Sequence, residues 1–329
     1  MNRFFSTLRK ISPKKQINYR LKFLRKNDHL KKYFCATKSL NGCVCEPSKE
    51  DNKQKIQPRI LDEYLNLNCK TAVVVGGEDG IGYAAAHEIL SRKAKVVGIF
   101  GKNVCKGMEA CHALNCRFGK RKAVFFEVDV TSQNDIECAI CKLTEEFDRI
   151  EAFVHSFAIF NGQNWEHELN TNLIGMARCT IAAHRYLSDS KKGGVIINTS
   201  GIFGLVPLPG SPTVSAAQHG IIGLSKSFGT DCMFKHSNVR VIALCPGITQ
   251  TKLFHNAHKR ALTPHMGECL QKKIGEMKKQ RPEACGNAIV WLLRYGHSGS
   301  VWLINGGEMY KMKCEVLNCC SELYIQFAA

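Results

Sequence analysis

Lys70-Thr71-Ala72-Val73-Val74-Val75-Gly76-Gly77-Glu78-Asp79-Gly80-Ile81-Gly82 is the stretch on which the fold turns. Ala72–Val75 is a short apolar run, read as a strand covered on both faces, and a helical pattern, Tyr83–Leu90, follows it. Glycines at 76, 80 and 82 permit a tight strand-to-helix turn and let the backbone approach a ligand closely. The helix start then offers unpaired amides to an anion such as a pyrophosphate. A glycine pattern alone is weak, because a glycine-rich turn needs no ligand. One that leaves a first strand and opens a helix is much more specific.

Outward from this turn, Val- and Ile-rich runs at 72–75, 96–99, 123–128, 152–157, 194–199, 239–245 and 301–305 alternate with helical patterns. The stripe Ile136, Ile140, Leu143, Phe147 has the spacing of a helix covering one face of a sheet. Apolar strands alternating with helices predict an α/β, doubly wound Rossmann fold, with a seven-stranded parallel sheet and helices on both faces. The domain is expected over residues 69–313, with a basic arm at 1–68 and a tail at 314–329.

The chain has 329 residues, 44% hydrophobic and 22% charged, which excludes a wholly disordered or fibrous protein. No apolar stretch approaches the ~20 residues of a membrane span, so integral membrane insertion is not expected. Net charge is +18, and residues 1–45 supply twelve Lys/Arg against Asp28 alone. The first 27 residues lack Asp and Glu, and Phe4, Phe5, Leu8 and Ile11 lie at helical spacing. A mitochondrial presequence, a disordered solvated tail and a polyanion-binding arm all fit that pattern, so localisation is cytoplasmic or mitochondrial. Nucleic acid is not the expected partner. Eight Lys/Arg between Lys252 and Arg281 form a second basic patch. The seventeen cysteines are odd in number and scattered. Cys179, Cys232 and Cys245 lie in apolar runs, and Cys138-x-x-Cys141 lacks a second half. They read as reduced thiols, with no metal site and no disulfide framework.

The spacing Gly76-x-x-x-Gly80-x-Gly82 resembles that of the short-chain dehydrogenase/reductases, and further motifs follow in order. Asp129-Val130 is similar to the third-strand acid segment that meets the adenine ring, and Asn172 to the asparagine of the fourth long helix. Asn198-Thr199-Ser200 is similar to the fifth strand's end. Pro246-Gly247-Ile248-Thr249-Gln250-Thr251 resembles the segment that touches the nicotinamide carboxamide. The resemblance covers 70–312 and is strongest to insect alcohol dehydrogenases and hydroxyprostaglandin dehydrogenases. It implies that Gly76, Gly80, Ile81, Gly82, Asp129, Val130, Pro246, Gly247, Ile248 and Thr251 hold NAD or NADP. It also implies a homodimer pairing through helices near 170–187 and 216–230.

The family moves the hydroxyl proton with a tyrosine whose pKa is lowered by a lysine, beside a serine and an asparagine. A phenol near pKa 10 is a poor base at neutrality without an adjacent cation. The register set by His219-Gly220-Ile221-Ile222 puts Val214 at the tyrosine, Gln218 at the lysine and Gly201 at the serine. Asn172 alone survives. The expectation is a catalytically impaired protein that binds its dinucleotide weakly or not at all. The alternatives are an oxidoreductase using Ser200 or His219, and a polyanion binder working through its arm. Ser200 is expected to face away from the site, one residue out of register on a strand, and His219 to lie about 100° around its helix. Two other departures agree. His155-Ser156-Phe157-Ala158 stands where the family has Asn-Asn-Ala-Gly. Phe100-Gly101-Lys102 stands where NAD-dependent members carry an acid for the ribose. There Lys102 hints at a 2′-phosphate and Asp79 opposes one, so the choice between NAD and NADP stays open.

Overall fold

A computed structural model describes residues 64–313. The readings of the presequence and of the tail fall outside the described residues, as does all of the arm except 64–68. Within that remnant Leu67 is buried in the core.

Eight strands form one sheet in the order β3-β2-β1-β4-β5-β6-β7-β8. They are β1 (Thr71–Val75), β2 (Val96–Gly101), β3 (Ala123–Glu127), β4 (Ala152–His155), β5 (Gly194–Thr199), β6 (Val239–Pro246), β7 (Val301–Asn305) and β8 (Glu308–Lys311). The first seven are parallel, as expected, and β8 returns antiparallel against β7. This eighth strand was not legible: four residues with exposed positions carry no apolar run. β4 ends at His155, so Ser156-Phe157, expected to continue the strand, leaves the sheet.

Helices cover both faces. On one lie α1 (Gly80–Ser91), α2 (Val104–Phe118) and α9 (Pro282–Tyr295), packed on Ala72 and Val74 of β1. On the other lie α3 (Gln133–Phe147) and α5 (Met176–Asp189), packed on Val73 and Val75. The alternation along β1 thus feeds both layers. Ile136, Ile140 and Leu143 are buried in the second layer, with Phe147 packed at its edge. Truncating a side chain such as Leu143, which is wholly buried, costs about 2–5 kcal/mol.

Caps start the helices where the sequence places Ser, Asn or Asp. Asn103 accepts from the Lys106 amide (3.0 Å) at α2. At α3 Ser132 accepts from the Asp135 amide (3.3 Å) and donates to the Asp135 carboxylate (2.8 Å), a reciprocal cap. The fourth long helix is three pieces in series: α4 (Trp165–Leu169), a π-helical turn Asn170–Gly175, and α5. Two further helices, α6 (Pro212–Phe228) and α7 (Asp231–Ser237), precede β6, and α8 (Pro264–Glu276) follows it. Because β1 and β4 are neighbours, the chain reverses direction across the sheet between them. In such sheets ligands bind beyond the carboxyl ends of the strands at that point.

Candidate functional site

A cleft of about 540 Å³ opens at that place. Gly76, Gly80 and Ile81 border it from the β1–α1 turn, and Asp129 and Val130 from the end of β3. Pro246, Gly247, Ile248 and Thr251 border it from the end of β6. Three widely separated segments expected to share one site therefore do share one.

The glycine turn is held by contacts that exclude side chains. Gly76 has φ +79°, and a Cβ there would stand 2.5 Å from the Ser156 carbonyl oxygen. Gly82 lies beneath the cleft rather than on its wall, and a Cβ there would stand 2.0 Å from the Gly76 carbonyl oxygen. Asp79 caps α1 by accepting from the Gly80 amide (2.8 Å). Helix geometry then leaves the Ile81 and Gly82 amides without an intrahelical acceptor. Burial raises the Asp79 carboxyl, but the Gly80 amide and Lys252 outweigh it and hold it below its usual value. Lys252 (3.3 Å) and Lys106 (3.6 Å) both pair with Asp79.

Lys102, the residue that hinted at a 2′-phosphate, is committed elsewhere. Its ammonium lies 2.5 Å from Asp129, whose other oxygen accepts from the Thr131 amide and hydroxyl. Burial alone would raise the Asp129 carboxyl, yet the Lys102 and Thr131 bonds hold it at about 2.

The four positions compared with the family's relay lie near one another at one end of the cleft. Gly201 and Gln218 line it, and Val214, Gln218 and Asn172 line a small adjoining recess. Val214 is buried among Phe160, Phe203 and Leu208. The Gln218 carboxamide fills the space a Gly201 side chain would take: a Cβ there would stand 2.4 Å from its Oε1. Asn172 sits in the π-helical turn and binds both polar groups of Ile159. Its Oδ1 accepts from the amide and its Nδ2 donates to the carbonyl, each at 2.8 Å. No tyrosine is among the described residues that line the cleft or the recess.

Ser200 corrects an expectation. β5 stops at Thr199, so strand alternation no longer governs the next residue, and Ser200 borders the cleft instead of facing away. Its hydroxyl donates to the Gln218 carbonyl (2.8 Å). His219 is exposed and bonded through Nδ1 to the Ser215 carbonyl oxygen (2.8 Å), and it lines neither cavity. Cys232 is exposed rather than buried in an apolar run, and Cys138 and Cys141 are exposed on α3. Among the described residues no group of three or more His, Cys, Asp or Glu is placed to hold a metal, and no helix is long and apolar enough to cross a membrane.

Sequence reasoning passed over several cleft residues. Phe254 and Arg260, from the basic patch after β6, border the end near Phe160. Arg260 donates to the Leu253 and His255 carbonyls, so the patch contributes wall as well as charge. Glu78 was also passed over, although an acid inside a glycine turn is itself a signal. The residues present fit a nicotinamide dinucleotide: the turn is a cradle that Cβ atoms would fill. Buried polar atoms without partners, Glu78 Oε2, Thr199 Oγ1 and Gln218 Oε1, sit on residues lining the cleft.

A doubly wound parallel sheet with a glycine turn at its reversal point defines a Rossmann-type dinucleotide fold. The chain belongs to the short-chain dehydrogenase family, whose sequence model matches residues 70–261. It is 30% identical over 254 residues to alcohol dehydrogenase 1 of Ceratitis cosyra, covering 77% of this chain and 98% of that one. It is 31% identical over 211 residues to human 15-hydroxyprostaglandin dehydrogenase [NAD(+)], covering 64% of this chain and 78% of that protein. Levodione reductase shares the fold, with a TM-score of 0.65 at 19% identity over 73% of this chain and 98% of that one.

Proposed function

We propose that the chain binds NAD or NADP in the cleft, lacks the proton relay needed to oxidise or reduce a carbinol, and acts through binding. In this reading the Ile81 and Gly82 amides meet the pyrophosphate. Asp129 and Val130 flank the adenine, and Pro246, Gly247, Ile248 and Thr251 flank the nicotinamide. When bound, the nicotinamide supplies hydride exchange. The protein's share of that reaction is to hold or move the hydroxyl proton, and Val214 has no proton to move while Gln218 carries no charge to tune one. The observation that carries the reading is the Gln218 carboxamide packed over Gly201 beside a buried Val214. Losing one positioned acid–base group costs about 10²–10⁴ in rate, and here three of four positions differ.

Dimerisation through α5 and α6 belongs to the same proposal. Ile174, in the π-helical turn, and Ile181, seven residues on in α5, are 45% and 47% exposed and would be covered by a second copy. The weight-average mass in solution tests that part.

Titration calorimetry of the purified full chain with NAD and NADP, together with absorbance at the nicotinamide band against a panel of secondary alcohols and ketones, tests the rest. Binding without turnover is expected. Gly201→Ser/Val214→Tyr/Gln218→Lys should introduce measurable turnover. Wild-type turnover abolished by neither His219→Ala nor Ser200→Ala would leave an unassigned relay and overturn the reading. Turnover abolished by one of them would establish the active-enzyme alternative.

A further inference from the structure

The family resemblance implies a ribose-binding acid at the end of the second strand, and this chain has none there. Phe100 is 1% exposed and packed edge-on to Phe126 with ring centres 5.5 Å apart, and its hydrocarbon ring offers the cleft no hydrogen-bond acceptor. Gly101 has no side chain. The space beyond it is nevertheless filled. A Cβ built on Gly101 would stand 2.4 Å from Glu78 Oε2 and 2.6 Å from Oε1, so the Glu78 carboxylate occupies the volume that a strand-end side chain would take. Glu78 comes from the glycine turn, and it borders the same cleft as Phe100 and Gly101.

Its Oε2 is buried and has no hydrogen-bond partner, an arrangement that needs a donor from outside the protein. Neighbouring lysines are engaged elsewhere, Lys102 with Asp129 and both Lys106 and Lys252 with Asp79. Among the described residues no cation is within ion-pair distance of Glu78, and Lys106 acts on it only from farther off. Three lysines and three carboxylates balance formally at this corner, but Glu78 is the carboxylate with no cation against it. A hydroxyl donor would satisfy it, and a phosphate would be repelled by it.

We infer that Glu78 supplies from the glycine turn the carboxylate that β2 lacks, accepts a hydrogen bond from the adenosine ribose 2′-hydroxyl, and makes the site select NAD over NADP. This rests on the dinucleotide reading above and settles the choice that Lys102 left open. Glu78 is a specificity-determining residue and takes no part in hydride or proton transfer.

Titration calorimetry of the full chain with NAD and NADP, in wild type, Glu78→Gln and Gly101→Ala, tests the assignment. Wild type should bind NAD at least about tenfold more tightly than NADP, the scale of one charge-assisted hydrogen bond. Glu78→Gln keeps the shape and removes the charge, so the preference should collapse to within about threefold, mainly through tighter NADP binding. Gly101→Ala sets a methyl group against the carboxylate without changing any charge, and should lower the preference by displacing it. Lys102→Ala controls for the opposite hypothesis and should leave NAD favoured. Equal or tighter NADP binding by wild type, or an unchanged ratio in Glu78→Gln with its melting temperature retained, overturns the inference while the dinucleotide reading stands. Absence of binding by either dinucleotide at millimolar concentration overturns both.

Discussion

His155 makes acid sensitivity a quantitative prediction. The imidazole lies at the end of β4 with 1% exposure, between Val75 and Asn198 on the neighbouring strands. Its Nδ1 is 2.8 Å from Asn198 Oδ1. That oxygen also accepts from Thr180 Oγ1 (3.1 Å), while Asn198 Nδ2 donates to Ser225 Oγ (3.0 Å). With Asn198 Oδ1 as the acceptor, Nδ1–H is the donor. Burial drives the pKa down from 6.5 to about 4, and the Asn198 bond recovers part of the drop. The folded value lies below the unfolded one, so in the window between them the unfolded chain binds the extra proton. Stability is full above pH 6.5 and falls as the pH drops towards 4. The loss is about 2 kcal/mol between pH 7 and pH 5, and about 3 kcal/mol once both states are protonated. Other histidines also titrate here: burial lowers His184 and His297 as well. The proper quantity is therefore the difference between wild type and His155→Asn in urea-unfolding free energy at pH 7 and pH 5. The variant should be less stable at pH 7 and flatter with pH by about 2 kcal/mol. A difference in pH response below about 0.5 kcal/mol, or a His155 ring resonance titrating near 6.5 by NMR, would refute the reasoning.

Two further perturbations probe the frame of the site. Gly82→Ala gains helix propensity but drives a methyl group into the Gly76 carbonyl; calorimetry should show dinucleotide affinity lost and stability lowered by about 1–3 kcal/mol. Arg240 is buried under the Tyr64 ring and donates to the carbonyls of Leu292 (3.4 Å), Leu293 (2.6 Å) and Gly296 (2.5 Å) at the end of α9. Arg240→Ala removes the guanidinium donors from the Leu293 and Gly296 carbonyls, while Leu292 keeps the Gly296 amide, and should cost about 3 kcal/mol or more, read as a fall of roughly 6–12 °C in Tm.

What could be read ahead of the structure was whatever repeats with a period or sits at a fixed spacing. The parallel strands, the α3 stripe and the glycine turn are local patterns, and the tetrad register followed from two short anchors flanking Val214. What escaped reading depends on where elements stop and on contacts across long separations. Ser200 was misjudged because alternation was carried one residue beyond the end of β5. The commitment of Lys102 to Asp129 joins residues 27 apart, and Glu78 faces Gly101 across 23 positions, so neither leaves a motif. The strand β8 is stabilised by pairing with β7 and not by apolar content of its own.

Asn172 invites a different view of why one residue of a reaction centre is still in place. Its side-chain amide grips both polar groups of Ile159 from a widened helical turn, and so pins the strand-exit segment that roofs the cleft. That mechanical task is independent of whether any hydride ever moves. A side chain with such a structural contact is held in place whatever its part in hydride transfer, so Asn172 by itself is no measure of activity.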